Sequence, residues 1–408
     1  MDAWNVVVVG AGPAGLMAAS GAAARGRTTL LLEKNRRPGA KILIAGGGHC
    51  NLTHAADARG IAEAFGSQGR FLHSALAALG PRQFIDLIEA EGVPTTIEAG
   101  GKVFPVSGKA GDVLAAILRR FQRSGASLAV QEQLEEIQRE DGGFRLTTQN
   151  RVVTTTKLVL TTGGCSYPGC GTTGDGYRWA AALGHTVVPP RPALVPIVTD
   201  LAWIKQLQGI TIPDVVLRLP GSRNRDHGPW RGSLLFAHFG ISGPVALDAS
   251  RVVSGSPRGQ RPVLQCDFAP DVPDGEVDRS LTDAAAGSGR RAAAVLEQWV
   301  PRRLAEALVV QAQVASDRRA AELSKAERSR LATVIKRLEI RTTGTLGFEK
   351  AEVTAGGVSL KEIDSRTMES KLVPGLFVAG ELLDLDGPIG GYNLQAAFST
   401  GYLAGESL

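Results

Sequence analysis

The most constraining feature of this chain is a glycine-rich turn after its first apolar run. Residues 6–9 are four valines, and the turn from Gly10 to Gly15 reads G-A-G-P-A-G. A strand ending in G-x-G-x-x-G that opens into a helix is the dinucleotide-binding fingerprint, because the helix N-terminus meets a pyrophosphate there. Glu33 closes the next apolar run, about 20 residues on, where a carboxylate accepts ribose hydroxyls. We predict a bound dinucleotide; the alternative is a glycine-rich turn without a ligand.

Each glycine of this turn has its own expected role. Gly10 permits the tight turn, Gly12 lets the backbone approach the pyrophosphate, and Gly15 lets the helix pack closely on the strand. We expect a strand over 5–9, a helix over 13–24 and a second strand over 28–32. The cofactor contacts predicted in this region are Gly10, Gly12, Pro13, Ala14, Gly15, Glu33 and Lys34.

Composition sets the size and class of the protein. With 408 residues, 43% of them hydrophobic, two or three domains with a large core are expected. The net charge is +5 and the basic residues are scattered, so the short clusters at 223–231 and Arg290–Arg291 are predicted to be solvated loops. We find no signal peptide and no apolar stretch long enough for a membrane span, and four cysteines fit a reducing cytoplasm.

The order of segments predicts an interrupted first domain. Residues 189–192 contain three prolines, which cannot continue a helix or a central strand, so we expect a domain boundary there. Residues 194–267 alternate like antiparallel strands, 268–290 resemble a surface loop, and 291–338 have helical spacing. A strand–turn–helix signal returns at 377–380 and indicates that the first domain resumes.

Within the first domain, the pattern changes between the second strand and the boundary. Residues 57–123 have the apolar spacing of helices. Residues 128–130, 144–148 and 151–154 indicate short strands of a meander, and 158–160 a buried strand.

A second glycine-rich strand end lies near the C-terminus. Residues 375–381 read G-L-F-V-A-G-E, and Gly390–Gly391 precede a predicted helix that starts near Tyr392. FAD needs such a second strand end for its ribityl chain and pyrophosphate, and a helix N-terminus stabilises the charge of reduced flavin at N1–C2=O. We therefore predict FAD; the alternative is a plain connection to a last helix. The contacts predicted here are Gly380, Glu381, Asp386, Gly391, Tyr392, Asn393 and Leu394.

A third segment combines a strand end with a loop of small residues. Residues 158–164 read L-V-L-T-T-G-G, and 171–176 read G-T-T-G-D-G, which offers successive backbone N–H groups with few obstructing side chains. The alternative is an ordinary loop that caps a helix over 175–183. The cofactor contacts predicted here are Thr162, Gly163, Gly164, Thr173, Gly174 and Asp175.

A resemblance to a known family enters at residues 41–53. This segment, K-I-L-I-A-G-G-G-H-C-N-L-T, resembles the K-x-x-x-S/A-G-G-G-R-C-N-x-T signature of the BaiN/RdsA-type NAD(P)/FAD-dependent flavoproteins, which include enzymes named aminoacetone oxidases. Residues 101–107, 234–244 and 387–395 resemble further motifs of that family in the same order, so the match covers essentially the whole chain.

The resemblance implies an α/β fold: a Rossmann-like, glutathione-reductase-type FAD-binding domain interrupted by an antiparallel β domain and a small helical cap domain. We place the FAD domain at 1–190 plus 342–408. The β domain covers 191–270 with residues near 339–357, and the cap covers 271–338. The resemblance also implies redox chemistry on small organic substrates, and it adds as FAD contacts Lys41, Gly47, Gly48 and Asn51.

Candidate catalytic residues are fewer. Cys50 and Asn51 lie in the signature, and His238 lies in an apolar stretch, where it is either a satisfied core histidine or an acid/base. His49 occupies a position where the family usually has arginine, which would make a flavin or substrate contact pH-dependent.

The cysteines and histidines suggest little further chemistry. Cys165 and Cys170 have C-x4-C spacing and are either a redox pair or two incidental thiols. No C-x-x-C motif and no paired histidines occur, so we predict no metal site.

These features predict a cytoplasmic FAD-dependent oxidoreductase that exchanges a hydride between flavin N5 and a small organic substrate. No second G-x-G-x-x-G follows a strand, so NAD(P)H, as a transient donor, or a quinone must approach the flavin directly. We predict neither a nucleic-acid partner nor a membrane; the oligomeric state is not determined. One alternative is a flavin-dependent nucleic-acid-modifying protein, against which the 5% aromatic content argues. The other is a non-enzymatic FAD-binding sensor.

Overall fold

The computed structural model describes residues 2–98, 100–222, 228–257, 259–287 and 289–408, with the side chains of 286 and 287 excepted. The chain divides into two compact units: Met1–Arg191 with Glu352–Leu408, and Pro192–Ala351. Most of the basic cluster predicted at 223–231 lies outside the described residues.

The first unit contains both helices and strands before the second unit begins. In chain order they are β1 Asp2–Val9, α1 Pro13–Ala24, β2 Thr29–Glu33, α2 Ala40–Ile44, β3 Thr53–His54, α3 Ala58–Ala64, α4 His73–Ala78, α5 Pro81–Ala90, β4 Thr95–Ile97, β5 Lys102–Pro105, α6 Ala110–Ser124, β6 Ser127–Val130, β7 Leu134–Glu140, β8 Gly143–Thr148, β9 Val152–Leu160, α7 Asp175–Ala182 and β10 Val187–Ala193.

The second unit then begins, and the first resumes after it. The elements of the second unit are β11 Ile197–Val198, α8 Ala202–Gln206, β12 Thr211–Arg218, β13 Trp230–Ala237, β14 Gly240–Ser242, α9 Pro244–Gly255, β15 Val263–Asp267, α10 Glu276–Gly287, α11 Ala292–Leu296, α12 Arg302–Gln311, α13 Lys325–Lys336, β16 Leu338–Arg341 and β17 Gly344–Thr345. The first unit ends with β18 Val353–Val358, β19 Leu376–Val378 and α14 Tyr392–Glu406.

A central sheet organises the first unit. Its strand order is β6-β2-β1-β9-β8-β7, and β19 pairs with the second half of β9. Strands β6, β2, β1, β9 and β19 pair in parallel, whereas β7, β8 and the first half of β9 form an antiparallel meander. Since β1, β9 and β19 run side by side, the residues after their carboxyl ends meet at one edge of the sheet, where ligands bind in open α/β sheets.

Helices α1 and α14 pack closely on one another through glycines. A Cβ atom at Gly401 would lie 2.2 Å from the Ala14 carbonyl oxygen, and one at Gly405 would lie 2.7 Å from the Ala18 oxygen. A Cβ at Gly21 would lie 3.1 Å from the Gly405 Cα. The two backbones therefore approach more closely than side chains would allow.

One region of the first unit differs from the sequence expectation. The stretch 57–123, predicted to be helical, also contains β4 and β5, which form a small sheet with β3. The proline-rich residues 189–192 lie in β10, which pairs with β18 in a two-stranded sheet, and the two compact units divide within them, between Arg191 and Pro192. Proline is tolerated on an edge strand, because its missing N–H is not needed there.

The second unit contains an antiparallel sheet with the order β16-β15-β12-β13-β14-β11-β17, as its alternating pattern predicted. The loop expected over 268–290 contains helix α10. Apolar side chains of the sheet and of helices α10–α13 belong to one hydrophobic core. The helices expected as a separate cap therefore share the core of the sheet.

Candidate functional site

The β1–α1 turn uses its three glycines differently. Gly10 has φ +100°, and a Cβ there would lie 2.7 Å from the Thr161 carbonyl oxygen. A Cβ at Gly15 would lie 1.9 Å from the Gly10 oxygen. Gly12, in contrast, has an ordinary φ of −83°. A Cβ built there would have no other described atom within 4 Å. Gly10 and Gly15 are thus required by packing, whereas Gly12 borders open space at the N-terminus of α1.

Glu33 lies beside this turn, at the end of β2. Its carboxylate is 7% exposed and accepts hydrogen bonds from the Ala11 N–H and the Asn35 N–H, both at 2.8 Å. A carboxylate oxygen has two lone pairs, so each oxygen retains one acceptor site. The position and the remaining capacity fit a partner for ribose hydroxyls.

The small-residue loop before α7 docks onto the residue after β2. Lys34 Nζ lies 2.6 Å from both Thr173 Oγ1 and Asp175 Oδ2. Burial opposes ionisation of Asp175, but the hydrogen bonds from Lys34 and Thr173 outweigh it and lower the pKa of the carboxyl. Three residues predicted separately as cofactor contacts therefore form one cluster.

A second cluster surrounds Glu381, the acid after β19. Its carboxylate pairs with Lys41 and accepts hydrogen bonds from Ser166 Oγ and the Thr354 N–H, both at 2.8 Å. Lys41 Nζ also lies 2.9 Å from Ser166 Oγ. The fully buried Thr354 hydroxyl accepts the Cys165 N–H at 2.8 Å. The sequence predicted Lys41 and Glu381, but no motif indicated Ser166 or Thr354.

Other predicted glycines are also enforced by close contacts. A Cβ at Gly164 would lie 2.3 Å from Thr354 Oγ1, one at Gly174 2.8 Å from Cys165 Sγ, and one at Gly380 2.8 Å from the Ala14 Cβ. The remaining predicted contacts are Pro13 in the first turn of α1, Gly163 after β9, Leu394 in α14 and Asp386, which is 2% exposed.

The N-terminus of α14 is fixed from two sides. Gly391 has φ +95°, and a Cβ there would lie 2.4 Å from the Thr53 carbonyl oxygen. The Asn393 side chain accepts the Gly387 N–H at 2.8 Å and donates to the Gly387 carbonyl at 3.0 Å, so it holds the preceding loop. Because its side chain is engaged in this way, Asn393 can make the predicted cofactor contact only through its backbone N–H.

His54, which the sequence analysis did not select, also supports this helix end. Its ring stacks on Tyr392 with centroids 4.6 Å apart, and Nδ1 lies 3.2 Å from the Gly390 carbonyl oxygen. No motif marked His54, because its partners come from the other end of the chain.

The buried polar atoms of this region test whether a dinucleotide fits. Asn51 Oδ1, Thr53 Oγ1 and Thr162 Oγ1 are buried without a hydrogen-bond partner. Leaving such atoms unpaired costs about 1–3 kcal/mol each. No other described atom lies within 4 Å of a Cβ built at Gly47, and the space at Gly12 is equally open. FAD offers hydroxyl and N–H donors to these oxygens and a pyrophosphate to the α1 N-terminus, so the residues fit this cofactor.

The thiols are not poised for redox chemistry. Cys50 is fully buried, and burial raises its pKa to about 12, so this thiol is protonated at neutral pH. Burial raises the pKa of Cys165, and the nearby Glu381 and Asp175 add to this effect. All four cysteines are free, so Cys165 and Cys170 do not form a disulfide.

The two histidines that were discussed as candidate site residues, His49 and His238, are exposed. His238 lies at the turn between β13 and β14, with its ring edge-on to Phe239 at 5.0 Å, so the interpretation as a core histidine is wrong. His49 Nδ1 lies 2.9 Å from the Gly108 carbonyl oxygen.

The described part of the chain contains no group of three or more His, Cys, Asp or Glu residues that could hold a metal ion. Among the same residues, no helix is both long and apolar enough to span a membrane.

Comparisons with solved structures support the fold. The chain aligns over 99% of its length with 99% of a 3-ketosteroid delta1-dehydrogenase from Sterolibacterium denitrificans, with a TM-score of 0.51 and 14% identity. It aligns over 100% of its length with 78% of a flavocytochrome c3 fumarate reductase, with a TM-score of 0.50 and 16% identity.

Comparisons of sequence give the family. The chain is 31% identical to the ribosomal RNA dihydrouridine synthase of Escherichia coli, over 100% of this chain and 98% of that protein. The enzyme of the same name from Haemophilus influenzae is 32% identical over 98% of both chains. A 3-dehydro-bile acid delta(4,6)-reductase from Clostridium scindens is 28% identical over 99% of this chain and 98% of that protein. The HI0933-like protein Rossmann domain model matches residues 4–407. The chain therefore belongs to the HI0933-like family of FAD-dependent oxidoreductases.

Proposed function

We propose that this protein is an FAD-dependent reductase that saturates a carbon–carbon double bond conjugated to a carbonyl group, and that its substrate is a uracil ring in ribosomal RNA. The observation that carries the proposal is the full-length similarity, at 31% and 32% identity, to two ribosomal RNA dihydrouridine synthases. The sequence alone favoured a small organic substrate, with a nucleic-acid substrate as the alternative; these relatives favour the alternative.

The names of the relatives share one type of chemistry. Dihydrouridine differs from uridine by two hydrogens across C5=C6, which is conjugated to the C4 carbonyl. A delta(4,6)-reductase of a 3-oxo steroid also acts on double bonds conjugated to a carbonyl. When bound and reduced, FAD would supply a hydride from N5 for such a reaction, and a proton delivered to the other carbon of the double bond would complete the saturation; the protein positions and tunes the cofactor.

The residues of this chain have distinct proposed roles toward the cofactor. The backbone N–H groups of Gly12, Ala14 and Gly15 bind the pyrophosphate, and Glu33 accepts ribose hydroxyls. The N-terminal N–H groups of α14 stabilise negative charge at N1–C2=O.

The remaining clusters hold this arrangement together. The contacts of Lys34, Thr173 and Asp175 fix the small-residue loop, and Lys41 with Glu381 fixes the residues after β19 beside the ribityl chain. NAD(P)H is the proposed electron donor.

The test uses the FAD-loaded protein under anaerobic conditions. The flavin is reduced with NADPH, NADH or dithionite and then mixed with an unmodified ribosomal RNA transcript. We expect flavin reoxidation together with a nucleoside that has gained the mass of two hydrogens. Protein that lacks FAD is the control, and reoxidation without any mass gain in the RNA would refute the RNA substrate.

A second candidate is a reductase of small conjugated enones. The similarity to the bile acid reductase, at 28% identity over nearly the whole chain, favours it specifically. Cyclic enones and a 3-oxo-4,6-diene steroid replace RNA in the same experiment. Rapid reoxidation by the steroid with an unchanged RNA mass would favour this candidate.

A further inference from the structure

Two arginine pairs that are distant in sequence lie side by side in the second unit. Arg291 and Arg319 face each other across an isolated antiparallel β-bridge. The Ala292 N–H donates to the Arg318 carbonyl at 2.8 Å, and the Ala320 N–H donates to the Arg290 carbonyl at 2.9 Å. Main-chain hydrogen bonds therefore hold together a four-arginine cluster: Arg290, Arg291, Arg318 and Arg319.

The guanidinium groups of this cluster are mostly not neutralised by acids. Arg290, Arg291 and Arg319 are exposed, and among the described residues no carboxylate forms an ion pair with any of them. Arg290 donates to the Ala294 carbonyl at 3.0 Å, and Arg318 Nε lies 3.5 Å from Glu327 Oε1.

The acid Glu322 contacts the main chain of Arg319. Its carboxylate accepts the Arg319 main-chain N–H at 3.2 Å and forms no ion pair with the guanidinium group. Other exposed arginines of the same unit are paired: Arg279 with Glu276 at 2.7 Å and Arg302 with Glu306 at 2.9 Å.

This arrangement is unfavourable for the protein alone. Like charges placed directly opposite each other across paired strands destabilise the pairing. From sequence, Arg290–Arg291 were expected in a solvated loop. Main-chain hydrogen bonds instead hold this pair opposite Arg318–Arg319. A local arrangement without internal compensation is characteristic of functional sites.

We propose that the four-arginine cluster binds the phosphate backbone of an RNA substrate. Guanidinium groups present planar N–H donors that match phosphate oxygens, and two adjacent pairs can contact successive phosphates. The choice of RNA as the polyanion rests on the proposed function, whereas the cluster itself rests on the geometry of the second unit.

The test measures binding without turnover. The protein, loaded with oxidised FAD and given no reductant, is titrated into a fluorescein-labelled RNA stem–loop with uridines in its loop, at several salt concentrations. For Arg291→Gln/Arg319→Gln we expect about tenfold weaker binding at low salt. The slope of log K against log salt should fall by about 1.4–1.8, since each lost phosphate contact contributes about 0.7–0.9.

The matched control is Arg279→Gln/Arg302→Gln, which removes the same charge from the same unit at two ion-paired positions. We expect its salt slope to equal that of the unchanged protein. Equal slopes for both variants would overturn the proposal. The proposal would also be overturned if the cluster variant lost binding to anionic lipid vesicles but bound RNA as tightly as the unchanged protein.

A failure of the proposed function gives a different result from a failure of the RNA-binding proposal. In that case RNA binding would depend on the cluster, but no nucleoside would gain two hydrogens.

Discussion

Two polar clusters of the first unit show how a structural network differs from a binding site. In the first, His185 Nδ1 lies 3.1 Å from Glu362 Oε2, and Nε2 lies 2.9 Å from Ser370 Oγ. This order of serine, histidine and acid is that of a hydrolytic triad. The serine hydroxyl, however, already accepts the N–H groups of Leu372 at 3.0 Å and Val373 at 2.9 Å, and Ser370 is only 7% exposed. These contacts satisfy the cluster, so we interpret it as structural.

The second cluster lies around the β1–α1 turn and the N-terminus of α14, which together we call the cofactor cradle, and here the polar groups are not satisfied. Asn51, Thr53 and Thr162 each keep a buried oxygen without a partner, and the position of Gly12 is open. Buried polar groups in folded proteins are nearly always paired, so each exception requires an explanation. The comparison teaches that several unsatisfied buried atoms beside an open position indicate a ligand better than a suggestive order of residue types does.

The largest effect is expected from filling the cradle. Gly12→Val places a side chain where no other described atom lies within 4 Å, so the protein should fold and yet exclude the pyrophosphate. We expect colourless protein, with FAD binding weakened more than about 100-fold, equivalent to about 2.7 kcal/mol.

The matched control is Gly111→Val in α6, where a Cβ also meets open space. It should remain yellow. A Gly12→Val protein that retains FAD would break the assignment of the cradle.

A smaller effect, on stability, is expected in the satisfied cluster. Ser370→Ala leaves His185 Nε2 and two backbone N–H groups without their partner, which should destabilise the protein by about 1–3 kcal/mol. FAD affinity should change less than about twofold, because the cluster is already satisfied within the protein. Urea unfolding of the apoprotein and FAD titration measure the two quantities. Full stability combined with lost FAD affinity would reverse our interpretation of the two clusters.

The smallest effect is expected from Thr162→Val, which removes an unpartnered hydroxyl and keeps the shape. The apoprotein should be as stable as before or more stable by up to about 1 kcal/mol, because no hydrogen bond is lost and a buried polar group is removed. The FAD dissociation constant should rise about fivefold, corresponding to about 1 kcal/mol. If the apoprotein loses stability while FAD affinity stays constant, Thr162 is structural and the comparison fails.

Local signals predicted much of the fold. The sequence predicted β1, the glycine turn and α1 as a unit, and it placed α7 and α14 near their observed starts. These elements follow from apolar periodicity and from glycines at strand ends, both of which are visible within a few residues.

The parts that depend on distant partners were missed. Thr354 lies in β18, beyond the whole second unit, and nothing near it in sequence shows that its hydroxyl meets Cys165. The burial that raises the pKa of Cys50 and the exposure of His238 are likewise set by packing rather than by neighbouring residues.

The glycine contact between α1 and α14 has a consequence for how the protein is made. Helix α1 is synthesised about 370 residues before the helix that covers it. At about 5–20 residues per second, roughly 20–70 s pass before that surface is covered. Until then the first unit lacks one wall of its cofactor cradle, so FAD should be captured only after α14 has been synthesised, and the uncovered α1 is where a chaperone would act.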